Sequence, residues 1–114
     1  MNFDFAKIPF EQAYKLVVST VVPRPVAWVV TKDKDGVVNA APYSFFNAFS
    51  DNPVVVGFGC GPRAPGALKD TVANIEATGQ FVVNMVSADS AEKMNITAVA
   101  FPPGVSEITV AGLS

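Results

Sequence analysis

The sequence predicts a mostly β fold with short helices, a small β-barrel whose four or five strands are few for full closure, and three features carry that expectation. β-Branched and aromatic runs recur at short intervals, at residues 26–31, 54–59 and 81–86. Turn-forming stretches separate elements, most clearly Lys32-Asp33-Lys34-Asp35-Gly36 and Pro102-Pro103-Gly104. Helical spacing of apolar residues is confined to short segments, none long enough to build a helical bundle.

Taken in order, Pro9 stands at a first helical position, and Phe10, Ala13, Tyr14 and Val17 follow at i, i+3, i+4 and i+7. That spacing predicts one short amphipathic helix. Residues 18–22 then turn β-branched, and Pro23-Arg24-Pro25 forces extended backbone. Residues 26–31, centred on Trp28, predict a strand whose alternation makes Trp28 a core residue. The polar turn ending in Gly36 returns the chain as a partner strand over residues 37–41.

Residues 39–53 gather Tyr43, Phe45, Phe46 and Phe49 around Ser44, Asn47 and Ser50, with Pro42 and Pro53 stiffening the two ends. Flat rings beside hydroxyl and amide groups suit a planar, partly polar ligand; the same residues also suit a buried aromatic cluster between strands. Residues 54–59 predict a third strand, and residues 60–67, with their glycines and prolines, an irregular loop. Leu68, Val72 and Ile75 predict a helix that runs to Thr78 and stops at Gly79. A fourth strand follows over residues 81–86. Ser87 or Asp89 caps a further helix carrying Ala91, Met94 and Ala98 on one face, and residues 108–110 begin another strand.

Composition narrows the function. The 114 residues form one domain, 1–114, and half of them are hydrophobic against 16% charged, which excludes a disordered tail. A net charge of −2 argues against nucleic acid or an anionic membrane surface as the main partner. No apolar run is long enough to cross a bilayer, and the N-terminus lacks a basic region followed by an apolar core. A single cysteine, Cys60, excludes an internal disulfide and suits a reducing compartment, the cytoplasm. There is no histidine, so Ser-His triads and histidine-based zinc chemistry are set aside, and the reactive centre is expected in an organic cofactor. Gly57, Gly59 and Gly61 lack the dinucleotide spacing and fit a tight turn near a ligand. Asn95-Ile96-Thr97 is a glycosylation sequon by letters only, within a predicted helix.

Several motifs in order resemble one family. Pro23-Arg24-Pro25-Val26-Ala27-Trp28, Asn39-Ala40-Ala41-Pro42-Tyr43-Ser44-Phe45-Phe46-Asn47, Lys69-Asp70-Thr71 with Asn74-Ile75, and Gly79-Gln80-Phe81-Val82-Val83-Asn84 are similar to the flavin reductase-like family. Phe101-Pro102-Pro103-Gly104 and Ala111-Gly112-Leu113 extend the likeness to the end of the chain. The resemblance implies an FMN-binding split barrel, a homodimer with the flavin near its interface, and hydride transfer from NADH or NADPH to flavin. Its alternatives are a non-enzymatic flavin-bearing electron carrier and a subunit that completes another chain's barrel. Family members continue past the Gly-Leu position with further strands, so the barrel is expected to be incomplete at the C-terminus.

The resemblance also implies where FMN binds. Lys69 and Thr71 open a predicted helix, where free N–H groups and the helix dipole favour a phosphate; the alternative is a solvated Lys69 and a Thr71 that merely belongs to the first turn. Asp70 opposes a positive pocket unless its carboxylate caps the helix. Pro42, Tyr43, Ser44, Phe45, Phe46 and Asn47 supply the other wall, Ser44 and Asn47 either meeting the flavin or bonding neighbouring backbone. Arg24, between two prolines, meets phosphate, lies on the flavin ring, or pairs with a surface carboxylate. Cys60 is expected to be a small buried hydrophobe, and no residue is expected to be an obligatory acid or base.

Overall fold

The computed structural model describes residues 1–63 and 66–114. Two antiparallel sheets, not closed into a barrel, carry short helices on their flanks. Helix α1 (Phe10–Thr20) leads to β1 (Ala27–Lys32), β2 (Val38–Tyr43), β3 (Phe46–Asp51) and β4 (Val54–Phe58). Then come α2 (Asp70–Thr78), β5 (Val82–Asn84), a 3₁₀ turn (Ala88–Ser90), α3 (Ala91–Thr97) and α4 (Glu107–Val110). One sheet has the order β2-β1-β5; β3 and β4 form a separate hairpin. The expected loop over residues 60–67 lies partly outside the described residues.

The hairpin β1–β2 sets the register of everything else. Asp33 holds its turn with a side-chain oxygen, which accepts from the backbone N–H of Asp35 at 2.9 Å and of Val37 at 2.8 Å. Gly36 takes the positive φ of 89° that this turn requires. From there Thr31 lies opposite Asn39, Val29 opposite Ala41 and Ala27 opposite Tyr43. β2 is an edge strand, so Pro42, which has no N–H to donate, is tolerated within it.

β1 is the central strand and its residues Ala27, Trp28, Val29 and Thr31 are buried. Ala27, Val29 and Tyr43 form the core, extended by the Tyr43–Phe58 pair at 5.0 Å and an edge-on Phe58–Phe81 pair at 5.5 Å. Trp28 buries its ring and donates its indole N–H to Thr97 Oγ1 at 3.0 Å, which docks α3. Helix α2 lies across β1 and β2, and α4 packs on β2. Gly79 ends α2 in the left-handed conformation at φ 69°, its N–H returning to the Ile75 carbonyl.

Two expectations need correction, at residues 18–20 and 108–110. Residues 18–20 stay helical: α1 runs on to Thr20, where Ser19 and Thr20 hydroxyls bond back to the Lys15 and Leu16 carbonyls rather than turning extended. Residues 46–51 are a regular strand, with one irregularity between Ala48 and Ser50 that leaves Phe49 unpaired and 71% exposed. Residues 108–110 are helical: burial of Glu107 and a Ser106 hydroxyl bond to the Val38 carbonyl at 2.6 Å hold that segment as α4. Long-range bonding outweighs the β preference of Ile108, Thr109 and Val110 there.

The chain is extended for its length. Its radius of gyration is 15.7 Å, against about 13 Å for a compact domain of this size. Helix α1 buries no residue, and its Phe10 and Tyr14 are exposed, as are Val54, Val55 and Val56 of β4. No helix among the described residues is long and apolar enough to cross a membrane.

Val29→Ala removes methyl groups from a fully buried site and should cost about 2 kcal/mol in urea denaturation. Val22→Ala, on a residue 60% exposed, should change stability by less than about 0.5 kcal/mol. Equal costs at the two positions would mean the core is not where β1 places it.

Candidate nucleotide-binding cleft

A cleft of about 180 Å³ opens where the end of β2 meets the start of α2, with the segment after α3 on its far side. Beneath it, one connected set of side chains ties four elements together. The Cys60 thiol donates to Tyr43 Oη at 3.3 Å, and Tyr43 donates to Thr71 Oγ1 at 2.9 Å. Thr71 donates in turn to Asn39 Oδ1 at 3.0 Å, and Thr31 Oγ1 reaches the same oxygen at 3.3 Å. Asn74 donates to Thr31 at 3.1 Å. From the other end of Asn39, Nδ2 donates to Glu107 Oε1 at 2.9 Å, and the Ala40 N–H donates to Oε2 at 3.2 Å. Thr71 is 1% and Glu107 5% exposed, so both depend on these bonds for their polar groups.

Tyr43 is the group whose acidity this environment changes. Burial raises its pKa above the ordinary phenol value, and the hydrogen bond from Cys60 adds to the rise. Tyr43 therefore stays protonated and remains a donor to Thr71. The Thr71 hydroxyl, donating to Asn39 and accepting from Tyr43, has no proton left for a ligand.

What faces the cleft is charge. Lys69, the residue before α2, holds its ammonium 5.6 Å from the centre of the Tyr43 ring. No side chain caps the N-terminus of α2; the Val72 amide bonds the Lys69 carbonyl at 2.9 Å, which leaves the Asp70 and Thr71 amides without an intrahelical acceptor. Asp70, which could have served as that cap, instead pairs with Arg63, whose Nη1 lies 3.3 Å from both carboxylate oxygens. Arg63 also donates through Nη2 to the Phe101 carbonyl, so it spans the cleft from α2 to the segment after α3. Among the described residues the ion pairs are Lys7–Asp4 and Arg63–Asp70, and Lys69 belongs to neither.

Four of the residues expected at a flavin site, Pro42, Tyr43, Lys69 and Thr71, line this cleft. The others sit elsewhere. Arg24 donates through Nη1 to the Val18 carbonyl at 2.9 Å and the Val21 carbonyl at 2.7 Å, closing the end of α1, and through Nε to Ser44 Oγ at 3.4 Å. Its guanidinium lies 5.6 Å from the Phe45 ring, whose other neighbour is Tyr14 at 6.1 Å. Phe46 packs against the core. Asn47 is exposed and accepts from the N–H of Ala48 at 2.8 Å, the local bond open to it from the sequence. Cys60 is half-buried and hydrogen-bonded rather than simply apolar.

Sequence reasoning missed Asn39 as the centre of the network, and Glu107 and Arg63 altogether. Asn39 was within reach: counting outward from the Asp33–Gly36 turn places it opposite Thr31, both facing α2. Glu107 carries no local signal, its partner Asn39 lying 68 residues away; Arg63 lies seven residues before Asp70, but in an irregular loop where no periodic spacing pairs them, and its second partner, the Phe101 carbonyl, is 38 residues away.

A two-sheet strand framework places an uncapped helix start and Lys69, a cation outside the ion pairs among the described residues, together at an open cleft, a candidate anion site. Comparison with known proteins makes the class specific. Residues 18–114 match the flavin reductase like domain, and the chain belongs to that family. A protein from Aquifex aeolicus is 48% identical over 114 residues, covering 100% of this chain and 58% of its own length. One from Halalkalibacterium halodurans is 41% identical over 104 residues, covering 91% of this chain and 50% of its own. Nitrilotriacetate monooxygenase component B from Bacillus cereus superposes with a TM-score of 0.90 at 36% identity, over 98% of this chain and 55% of that one. The 2-nitrobenzoate 2-nitroreductase of Pseudomonas fluorescens does so at 0.82 and 34% identity, over 98% and 52%. This chain thus spans about half the length of the relatives it matches, and its two open sheets correspond to part of a flavin reductase-type split barrel.

The raised pKa of Tyr43 gives a signed pH dependence. Stability from keeping the phenol neutral is complete below its ordinary value near 10 and is lost as pH rises from there toward the higher folded value. Chemical denaturation between about pH 9 and about pH 12 should therefore show a steeper alkaline loss in the wild type than in Tyr43→Phe. Parallel curves would mean the phenol ionises as freely folded as unfolded.

Proposed function

We propose that this chain binds FMN without a covalent link and serves flavin-dependent redox chemistry, with NADH or NADPH as hydride donor. Its membership of the flavin reductase-like family supports the flavin. The observation that carries the site is Lys69, a cation outside any described ion pair, beside the uncapped start of α2. That donor set fits a phosphate dianion. The cleft's 180 Å³ is below the roughly 300 Å³ at which pockets begin to enclose a whole drug-sized ligand. It suits the phosphate and the adjoining part of the ribityl chain, with the flat ring outside.

Lys69 and the amides of Asp70 and Thr71 bind the phosphate in this reading. The Thr71 hydroxyl acts through its bond to Asn39, fixing the start of α2 rather than touching the ligand. Pro42 and Tyr43 form the adjoining wall. Ser44, Phe45, Phe46 and Asn47, with Arg24 beneath Phe45, are the proposed surface for the ring, where an exposed aromatic side chain and a fixed cation already stack. When bound, the flavin supplies the hydride acceptor. The chain's own residues bind, orient and exclude water, and none is assigned proton transfer.

A homodimer is part of the proposal. Exposed Phe10, Phe49, Val54 and Val56 and the chain's extended shape are what a second copy would cover. Sedimentation at micromolar concentration should show a dimer; a cooperative, compact monomer contradicts it. The single, hydrogen-bonded Cys60 supports placement in a reducing compartment, the cytoplasm, which cell fractionation tests.

Lys69→Ala should weaken FMN by roughly 1.5–3 kcal/mol and leave riboflavin, which has no phosphate, nearly unchanged in fluorescence titrations. Equal losses would show that Lys69 acts through structure and that the phosphate lies elsewhere. Oxidation of NADH or NADPH in the presence of FMN distinguishes a reductase from a carrier, which binds flavin without turnover.

A further inference from the structure

We infer that Arg63 is a specificity-determining residue: by pairing with Asp70 it screens a carboxylate at the cleft that would otherwise repel phosphate, and so favours FMN over riboflavin. The inference rests on the phosphate placement at Lys69. Lys69, Asp70 and Arg63 all line the cleft, and Asp70 is the first residue of α2, where the phosphate is placed. A bare carboxylate there would oppose both Lys69 and the helix dipole. Arg63 sets Nη1 3.3 Å from both Asp70 oxygens while Nη2 is anchored on the Phe101 carbonyl. The guanidinium is thus held at both ends, so its charge is fixed on Asp70 rather than free to reach a ligand. The side chains are 29% and 33% exposed, leaving the pair partly screened by solvent.

Three charges therefore act as one device. Arg63 and Asp70 cancel, and Lys69 remains as the net charge presented to the ligand. Removing Arg63 restores a −1 charge beside a dianion, a repulsion worth about a tenfold change in affinity at low salt, falling as ionic strength rises. Riboflavin, carrying no charge, is indifferent to it.

The test is a titration of FMN and riboflavin into the wild type, Arg63→Ala, Asp70→Asn and the double variant, with Lys69→Ala alongside, followed by flavin fluorescence. Arg63→Ala should weaken FMN about tenfold and riboflavin less than about twofold, and Asp70→Asn added to it should restore FMN binding. An FMN loss that Asp70→Asn does not rescue would show Arg63 contacting phosphate itself and overturn the inference. Equal loss of both flavins would show a collapsed cleft and overturn it too. If Lys69→Ala gives the FMN-specific loss while Arg63→Ala gives none, this inference fails and the phosphate placement stands. If Lys69→Ala gives no FMN-specific loss, or the chain binds neither flavin, the placement fails and this inference with it.

Discussion

Asn39 is the constraint on which the rest of the structure depends. A buried side-chain amide must satisfy an acceptor and a donor group at once, and leaving either unpaired costs about 1–3 kcal/mol. Asn39 meets that demand with Thr71 and Thr31 on its oxygen and Glu107 on its nitrogen. These partners come from α2, β1 and α4, so one residue of an edge strand fixes the position of two helices against the sheet. Because α4 is only four residues long, its hold on the sheet comes from Glu107 and the neighbouring Ser106 rather than from an apolar face. The cleft inherits its shape from this arrangement: the start of α2 sits over Tyr43 because Thr71 is bonded both to Tyr43 and to Asn39.

The aromatic corner obeys a different logic. After Tyr43 the chain leaves one sheet and at Phe46 enters the other, so Ser44 and Phe45 form the joint between them. Arg24 braces that joint from below, with its guanidinium on the end carbonyls of α1 and against Ser44 and Phe45. This explains why residues adjacent in sequence separate in space. Pro42 and Tyr43 turn toward α2 and the cleft, while Phe45 stacks with Tyr14 of α1. Exposed apolar residues include Phe10 and Tyr14 on α1 and Phe49, Val54, Val55 and Val56 on the β3–β4 hairpin, elements that the β2-β1-β5 sheet does not bury. These are the faces on which the proposed dimer depends.

Much of the framework was legible from local chemistry. The β1–β2 hairpin follows from its Asp33–Gly36 turn and flanking β-branched residues, and α2 from its apolar spacing and Gly79 stop. The family could be recognised because its motifs run in order along nearly the whole chain. What escaped local reading was set by distant partners. Residues 108–110 favour a strand by composition, yet Glu107 is drawn to Asn39 and a helix forms. Thr71 was legible as a helix-start residue, but not that its hydroxyl is already committed on both sides. Asp70 reads locally as a cap or a repulsive charge, because its partner Arg63, though only seven residues away, lies in an irregular loop where no periodic spacing pairs the two. Polar residues took their meaning from tertiary contacts, and apolar ones mostly from their own neighbours.

Amide NMR of the labelled protein, titrated with FMN, tests the central claim most directly, because it reads the position of the ligand without relying on a mutation. The account predicts that the largest shifts fall on Asp70 and Thr71 at the start of α2, with smaller ones at Tyr43 and the Ser44–Asn47 corner. Largest shifts instead around Lys32, Asp33 and Gln80, which line a second hollow at the opposite end of the sheet, would contradict it.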